Sequence, residues 1–425
     1  MQKIILHIDF DSFFASVEQQ LHPHLRNRPM GVTARNGRTC VIAASREAKK
    51  FGIKTGTRTF DALKLCPSFV SVPADFVNYG EVSKKFIKIC DEFSPTIEVF
   101  SIDEVFMDVT LTARLFGGVY PLIEKFKSRL REELGDYITA SVGISHNKLL
   151  AKLASGMKKP DGVMAIDHED VIKVYNETKL TDICGIGRRI EERLHNLGIY
   201  TLLKLRLTPL SSLIAEFGEV EGKFLYDIGW ARDDRPLIHY TDVDQVKSVG
   251  RQYCLPANEY DMRKVMQNVY ELCEEVGRKL RRIGKKAKVV GIYLGGENSV
   301  HGRRMLDRYV DNGKDIFEEC MFSIRHCEEA KNEQRSNLVQ KRLPRSYFAR
   351  NDGLGFVRQI SIYTSNFEDA ANVPSSLFIE DRRREKVVAA VDKINEKFGH
   401  YTIRNGFLLD APKLKTVPNG YAPVI

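Results

Sequence analysis

A short apolar run that stops at an acid limits the fold more than anything else in this chain. Residues 4–8 (IILHI) read as a β-strand ending at Asp9, and DSFFASVEQQ follows at once, with Asp11 or Ser12 placed to cap a helix. Two further strand-like runs, TIEVFS (96–101) and VFMDV (105–109), are joined by Ile102, Asp103 and Glu104, which puts acids at the tip of a predicted hairpin. Neighbouring strand residues point to opposite faces, so Asp103 and Glu104 can serve one site only where a turn or bulge breaks the pleat. A first strand lying beside this hairpin would bring three carboxylates to one sheet edge, where their repulsion calls for a cation.

Oxygen donors select hard ions, and two or three carboxylates left open for substrate phosphates are the usual setting for Mg²⁺. Two such ions can activate an attacking hydroxyl and stabilise the leaving oxygen in a displacement at phosphorus. A plainer reading treats Asp9 as a helix cap and Asp103 and Glu104 as a solvated turn, and spacing alone does not separate the two.

Around these acids the pattern divides the chain. Residues 1–22 and 77–166 read as two parts of one domain in the order βα, ββ, αβ, α, with a helix from Pro121 to Leu134, a strand ITASVGI and a basic helix NKLLAKLASGMKK stopped by Pro160. That order predicts a ferredoxin-like sheet of antiparallel strands with helices on one face. Residues 23–76 form a Gly-spotted insert, 167–232 are helical throughout, and the Asp-rich stretch 233–246 is a linker. Residues 247–368 alternate strand, long helix and strand, interrupted at 323–354 by a polar stretch that reads as a loop-like insertion, and 369–425 form a C-terminal tail.

Charge adds a hint about the partner: 65 Lys and Arg against 56 Asp and Glu give +9, which favours a polyanion. Apolar runs fall short of the roughly 20 residues of a membrane helix, and no signal-type segment precedes Asp9, so the chain reads as soluble and cytoplasmic. The eight Cys are scattered without a CxxC pair, against a disulfide framework or zinc site.

Four stretches, LHIDFDSFFASVE, SREAKKFGIKTG, SIDEVF and SVGISHNKLLAKLASGMKKPDG, resemble in order and spacing the core motifs of Y-family translesion DNA polymerases, over residues 1 to about 320. The resemblance implies an α+β chain: a ferredoxin-like palm, a small fingers insert, a helical thumb containing a helix-hairpin-helix, and a βαβ-type little finger. It implies that Asp9, Asp103 and Glu104, with the backbone carbonyl of Phe10, hold two Mg²⁺, and that Asp103 and Glu104 are catalytic. Phe14 matches the aromatic steric gate that excludes a ribose 2′-hydroxyl, although Phe13 and Phe14 also suit an inward helix face. Phe13, Arg46, Lys49 and Lys159 match triphosphate-binding positions; Lys159 is equally placed to interact with a helix dipole. Many members read Tyr-x-Ala-Arg where this chain has Arg46, Glu47, Ala48 and Lys49. That fingers sequence is closer to polymerase V catalytic subunits, while the organisation elsewhere is closer to bacterial DNA polymerase IV.

DNA contacts are expected from two regions. In ICGIGRRIEERLHNLGI, Gly185 and Gly187 permit a tight turn flanked by Arg188 and Arg189, the pattern of a helix-hairpin-helix that grips phosphates. The run RKLRRIGKKAK supplies Arg278, Lys279, Arg281, Arg282, Lys285, Lys286 and Lys288, and Lys247, Arg251, Arg303 and Arg304 extend it; a solvated face is its plainer reading. Leu377 and Phe378 in SSLFIED resemble the apolar pair of a sliding-clamp peptide, without its glutamine. The expected protein is a monomeric, low-fidelity polymerase acting on primer-template DNA and deoxynucleoside triphosphates. Its rivals are a nucleotidyl cyclase and a non-catalytic polymerase-like subunit binding DNA and the clamp.

Overall fold

The computed structural model describes residues 3–34, 40–242, 246–336, 355–374, 376, 378–399 and 401–411. The chain divides into two compact units on either side of residue 243.

The first unit begins with β1 (Ile5–Phe10) and α1 (Phe13–Leu21). A small subdomain follows, made of β2 (Met30–Thr33), β3 (Val41–Ala44), α2 (Arg46–Lys50), α3 (Thr59–Leu65) and β4 (Val70–Pro73). There β2 is central, antiparallel to β3 and parallel to β4, over a core that includes Val41, Ala48, Ile53 and Phe69. The Ser45 hydroxyl accepts the Ala48 N–H (3.2 Å), a side-chain cap that fixes where α2 begins.

Then come α4 (Phe76–Asp91), β5 (Ile97–Val99), β6 (Glu104–Asp108), α5 (Val119–Leu134), β7 (Ala140–Ser145), α6 (Lys148–Met157) and β8 (Val163–Ala165). Together with β1 these strands make a five-stranded sheet of order β5-β6-β1-β7-β8. Alternate residues of β1 divide between its faces. Leu6, Ile8 and Phe10 join the core built with α4 and α5, while Ile5 packs with Ala151 of α6 and His7 bonds Ser155 of the same helix.

Two features depart from the expected sheet with helices on one face. Helix α6 covers the second face, and β8 runs parallel to β7, because a helix between adjacent strands is a crossover that returns the chain in the same direction. Burial on both faces accounts for ASVGIS being buried at every position rather than alternately. Gly143 permits the approach of α6: a Cβ there would lie 2.0 Å from the Ala151 carbonyl oxygen.

Helices α7 (Val171–Glu177), α8 (Arg188–Asn196), α9 (Leu202–Arg206), α10 (Leu210–Phe217) and α11 (Glu219–Gly229) share a core with Leu149, Leu150 and Leu153 of α6. The first part of the segment read as a linker is fastened to the five-stranded sheet. Leu237 packs against Ile5, Phe106 and Ala151, the Lys148 ammonium donates to Glu98 (3.0 Å) and to the Pro236 carbonyl (3.1 Å), and the Tyr240 hydroxyl donates to Asp91 (2.8 Å).

The second unit contains β9 (Ser248–Glu259), α12 (Met262–Arg282), β10 (Lys285–Gly296), β11 (Val300–Val310), α13 (Gly313–Ser336), β12 (Val357–Asp369) and α14 (Ile379–Phe398). Its four-stranded antiparallel sheet has the order β11-β10-β12-β9. Val265, Val269, Leu272 and Val276 form the helical stripe that α12 presents to this core, beside Ile316 and Cys320 of α13.

The polar stretch from 323 is not a loop at its start, because α13 continues to Ser336. Residues 328–335 (EEAKNEQR) are mostly good helix formers, with neither Gly nor Pro to end it. The remainder, 337–354, lies outside the described residues. Nor do the described residues of the C-terminal segment, up to Ala411, trail away. The Gln267 amide donates to the Phe407 carbonyl (2.9 Å), Arg404 pairs with buried Glu271 (3.1 Å), and Asp392 of α14 pairs with Arg281. Among the described residues no helix is long and apolar enough to cross a membrane.

Candidate active site

Strand register places two of the acids side by side. Asp9 stands opposite Glu104 in the β1–β6 pairing, and the Phe10 N–H donates to the Asp103 carbonyl (3.1 Å). Asp103 lies in the bend before β6 and Glu104 is the first residue of that strand, so the pleat does not separate the consecutive acids. The Ser101 hydroxyl donates to Asp103 Oδ1 (2.6 Å). Glu104 is held by His7 Nε2 (3.3 Å) and the Lys152 ammonium, and Asp9 pairs with Lys159.

Each carboxylate is thus turned to its own partner. Among the described residues no three His, Cys, Asp or Glu side chains form one close metal-holding group. The donor set and its electrostatics nevertheless suit a hard cation. Burial pushes Asp9 above the usual carboxylate range against the pull of Lys159, and pushes Asp103 up against its Ser101 hydrogen bond. A divalent ion relieves that cost, and all the available donors are oxygens. Burial also raises Glu104, but the hydrogen bonds from His7 and Lys152 outweigh it and hold the group at about 2. His7 is pushed below the usual imidazole range by its burial. In its neutral form Nε2–H donates to Glu104 and Nδ1 accepts from the Ser155 hydroxyl (2.7 Å).

Cations gather beside the acids from α2 and from the end of α6. The Lys49 ammonium donates to the Ser12 hydroxyl (2.8 Å), and burial together with the nearby charge of Lys159 pushes Lys49 below the usual lysine range. Arg46 donates to the Thr139 hydroxyl and lies 3.7 Å from Asp11. Phe14 stacks on Tyr79 and meets Phe76 edge-on, so it stands on a built aromatic floor. Phe13 is a core residue, stacked on Phe10 with 3% of its surface exposed, and Phe14 beside it is 7% exposed.

Sequence reasoning missed His7, Lys152 and Tyr79, and read Asp11 only as a possible helix cap, whereas Ser12 is the N-cap and the Asp11 carboxylate bonds Thr139, Ser141 and the Asp161 N–H. His7 is two residues from Asp9 and so shares its strand face, and Lys152 precedes Lys159 by about two helical turns, so both had a legible signal. Tyr79 had none, because only the tertiary fold brings α4 against α1.

In the thumb segment, Gly185 (φ 104°) turns the chain into α8, with Gly187 as its N-cap and Arg188 and Arg189 exposed. A Cβ at Gly185 would lie 2.5 Å from the Phe224 ring. In the second unit several of the expected phosphate ligands pair with carboxylates. Arg251 pairs with Glu275 (2.7 Å), Arg281 with Asp392 (2.6 and 3.0 Å), Lys285 with Asp369 (2.7 Å) and Lys286 with Glu385 (3.0 Å). Arg304 pairs with Glu319 (2.9 Å). Lys247, Arg282 and Arg303 are exposed, and Arg278 lies over the Tyr401 ring. Phe378, 73% exposed, precedes α14, while Leu377 lies outside the described residues.

Residues 8–156 match the impB/mucB/samB family, 181–229 the DNA polymerase-iota thumb domain, and 246–377 the impB/mucB/samB family C-terminal domain. DNA polymerase IV of Moorella thermoacetica is 39% identical over 319 residues, 74% of this chain and 78% of that protein. DNA polymerase IV of Acetivibrio thermocellus is 29% identical over 421 residues, 96% of this chain and 98% of that protein. A chimeric Y-family DNA polymerase superimposes with a TM-score of 0.68 at 24% identity, covering 85% of this chain and 98% of that one, a likeness of fold. The chain belongs to the Y-family DNA polymerases, the impB/mucB/samB family.

Proposed function

We infer that this protein is a template-directed DNA polymerase of the translesion type, which adds deoxynucleotides to a primer 3′-hydroxyl. The observation that carries the mechanism is the meeting of Asp9, Asp103 and Glu104 with Arg46, Lys49 and Lys159 at the adjoining ends of the inner strands β1 and β6. Asp9, Asp103, Glu104 and the Phe10 carbonyl would hold two Mg²⁺, which supply Lewis-acid activation of the attacking hydroxyl and stabilisation of the leaving oxygen.

The chain's own residues do the rest. His7 and Lys152 keep Glu104 ionised at neutral pH. Arg46, Lys49 and Lys159 hold the triphosphate and balance its growing negative charge. Lys49 does so as a point charge, without the fork of an arginine. Phe14, braced by Tyr79, occupies the space a ribose 2′-hydroxyl would need.

We assign residues 1–22 and 77–166 to the palm, 23–76 to the fingers, 167–232 to the thumb and the unit from 247 to the little finger. Gly185, Gly187, Arg188 and Arg189 grip the DNA backbone without reading sequence. Lys247, Arg278 and Arg282 face phosphate, and Arg251, Arg281, Lys285 and Lys286 also serve the fold of the little finger through their carboxylates. Exposed Phe378 supports a clamp contact at the start of α14. The protein works as a monomer.

Primer extension on an undamaged and an abasic template with Mg²⁺ tests this reading. Wild-type extension on both, absent from Asp103→Ala/Glu104→Ala, is the expected result. DNA binding without extension by the wild type would favour the accessory-subunit reading.

A further inference from the structure

Asp11 has no part in the proposed metal site, yet its carboxylate, 3% exposed, is among the most heavily bonded in the palm. It accepts the Ser141 hydroxyl (2.7 Å), the Thr139 hydroxyl (2.6 Å) and the backbone N–H of Asp161 (2.8 Å). Asp161 has a left-handed backbone (φ 52°) in the turn 158–162, which joins α6 to β8 and carries Lys159.

The same turn is held again from α5. The Lys127 ammonium, 12% exposed, donates to the Asp161 carbonyl (2.6 Å), the Asp161 carboxylate (2.9 Å) and the Gly162 carbonyl (3.3 Å). Arg131 reaches the other Asp161 oxygen (3.2 Å). The Gly162 carbonyl also accepts the Val142 N–H (3.0 Å), which ties the turn to β7. The turn closes tightly, for a Cβ at Gly162 would lie 1.6 Å from the Lys158 carbonyl oxygen.

We propose that Asp11 and Lys127 are positioning residues for nucleotide binding: from two sides they fix the turn that carries Lys159, and they act on the triphosphate only through it. The proposal rests on the reading of Lys159 as a triphosphate ligand. A lysine on a loose turn loses backbone as well as side-chain freedom when it binds, and that added cost weakens the bound state. On a fixed turn only the side chain is ordered. Asp11 also bonds the Thr139 hydroxyl that Arg46 engages, so its removal disturbs two cations, whereas Lys127 touches the turn alone. Lys127 is therefore the cleaner probe.

The test is single-nucleotide incorporation by the full chain on a primer-template, with kcat and KM for the deoxynucleotide measured for wild type, Lys127→Met, Lys159→Ala and the double variant. Lys127→Met should raise KM by roughly three- to tenfold, as expected when a charged hydrogen-bond anchor is lost, and leave kcat nearly unchanged. The double variant should be no worse than Lys159→Ala, and Lys127→Arg should recover part of the loss. Lys127→Gln serves if the methionine variant does not fold. An unchanged KM in the Lys127 variants, or effects that multiply in the double variant, would overturn the proposal. An unchanged KM in Lys159→Ala would instead remove the reading of Lys159 itself, and the proposal with it.

Discussion

The ring of Phe14 lies almost flat on that of Tyr79, with centroids 4.3 Å apart and planes 12° from parallel. The Tyr79 hydroxyl donates to Glu18 (2.6 Å), one helical turn beyond Phe14 on α1. The residue proposed to filter the sugar is thus braced by a second ring, and that ring is locked to the filter's own helix. Tyr79→Phe keeps the ring but removes the donor to buried Glu18. The expected cost is about 1–3 kcal/mol in urea unfolding, with sugar selection retained. Tyr79→Ala removes the brace and should relax discrimination against ribonucleotides as well.

Phe14→Ala should open the space beside the sugar directly. Removing a steric exclusion of this size is expected to raise ribonucleotide use relative to deoxynucleotide use by at least roughly tenfold. The ratio of kcat/KM for matched ribo- and deoxynucleotides measures it, and an unchanged ratio would reduce Phe14 to a core aromatic.

The two neighbouring arginines at the end of α12 should behave differently. Arg281 makes a bidentate pair with Asp392 and also donates to the Asp311 carbonyl (2.5 Å), so Arg281→Ala should lower stability by about 1–3 kcal/mol and loosen α14. Arg282 is exposed, and Arg282→Ala should leave stability nearly unchanged while reducing the slope of log K for DNA against log salt by about one unit. Unfolding curves and a salt titration of DNA binding check the pair.

The second unit should become more stable on mild acidification. Burial raises Glu274, Asp311 and Asp315 above their ordinary range despite partly compensating neighbours. Each therefore binds a proton more tightly folded than unfolded, and its favourable contribution, complete below the unfolded value, is lost as pH rises through the folded one. The unfolding midpoint of this unit should rise as pH falls from neutral toward the ordinary carboxylate range, and Glu274→Gln should flatten the rise. Glu104 works in the opposite sense in the palm: its stabilising contribution holds above its ordinary value of 4.5 and fails only as pH falls toward about 2.

What the sequence made legible was local. An apolar strand ending at Asp9 and a hairpin with acids at its tip are short patterns, and the strand register then follows from which faces are apolar. The Gly185 turn was legible for the same reason, whereas Lys159 was read as a triphosphate ligand only through the family resemblance. The supports were not. Tyr79 reaches Phe14, and Asp392 reaches Arg281, across long stretches of chain that no periodicity relates. Helix α14 looked like a tail because it holds the second unit largely through ion pairs and hydrogen bonds, with only Asn395 of its residues buried. The basic run at 278–288 reads as one charged surface in sequence. In the fold, Arg281, Lys285 and Lys286 are paired with acids from later strands and helices, and Arg282 remains open to solvent.

The most direct measurement is single-turnover incorporation of one correct deoxynucleotide with Mg²⁺, comparing wild type with Asp103→Asn at equal occupancy of primer-template. The substitution keeps shape and removes one negative charge from the acid cluster. A rate lower by about a thousandfold or more, with DNA affinity unchanged, is the predicted result, since phosphoryl transfer depends heavily on metal-borne stabilisation of the charge that develops on the attacking and leaving oxygens. A rate within about tenfold of wild type, at that same DNA occupancy, would contradict the placement of the reaction at Asp9, Asp103 and Glu104.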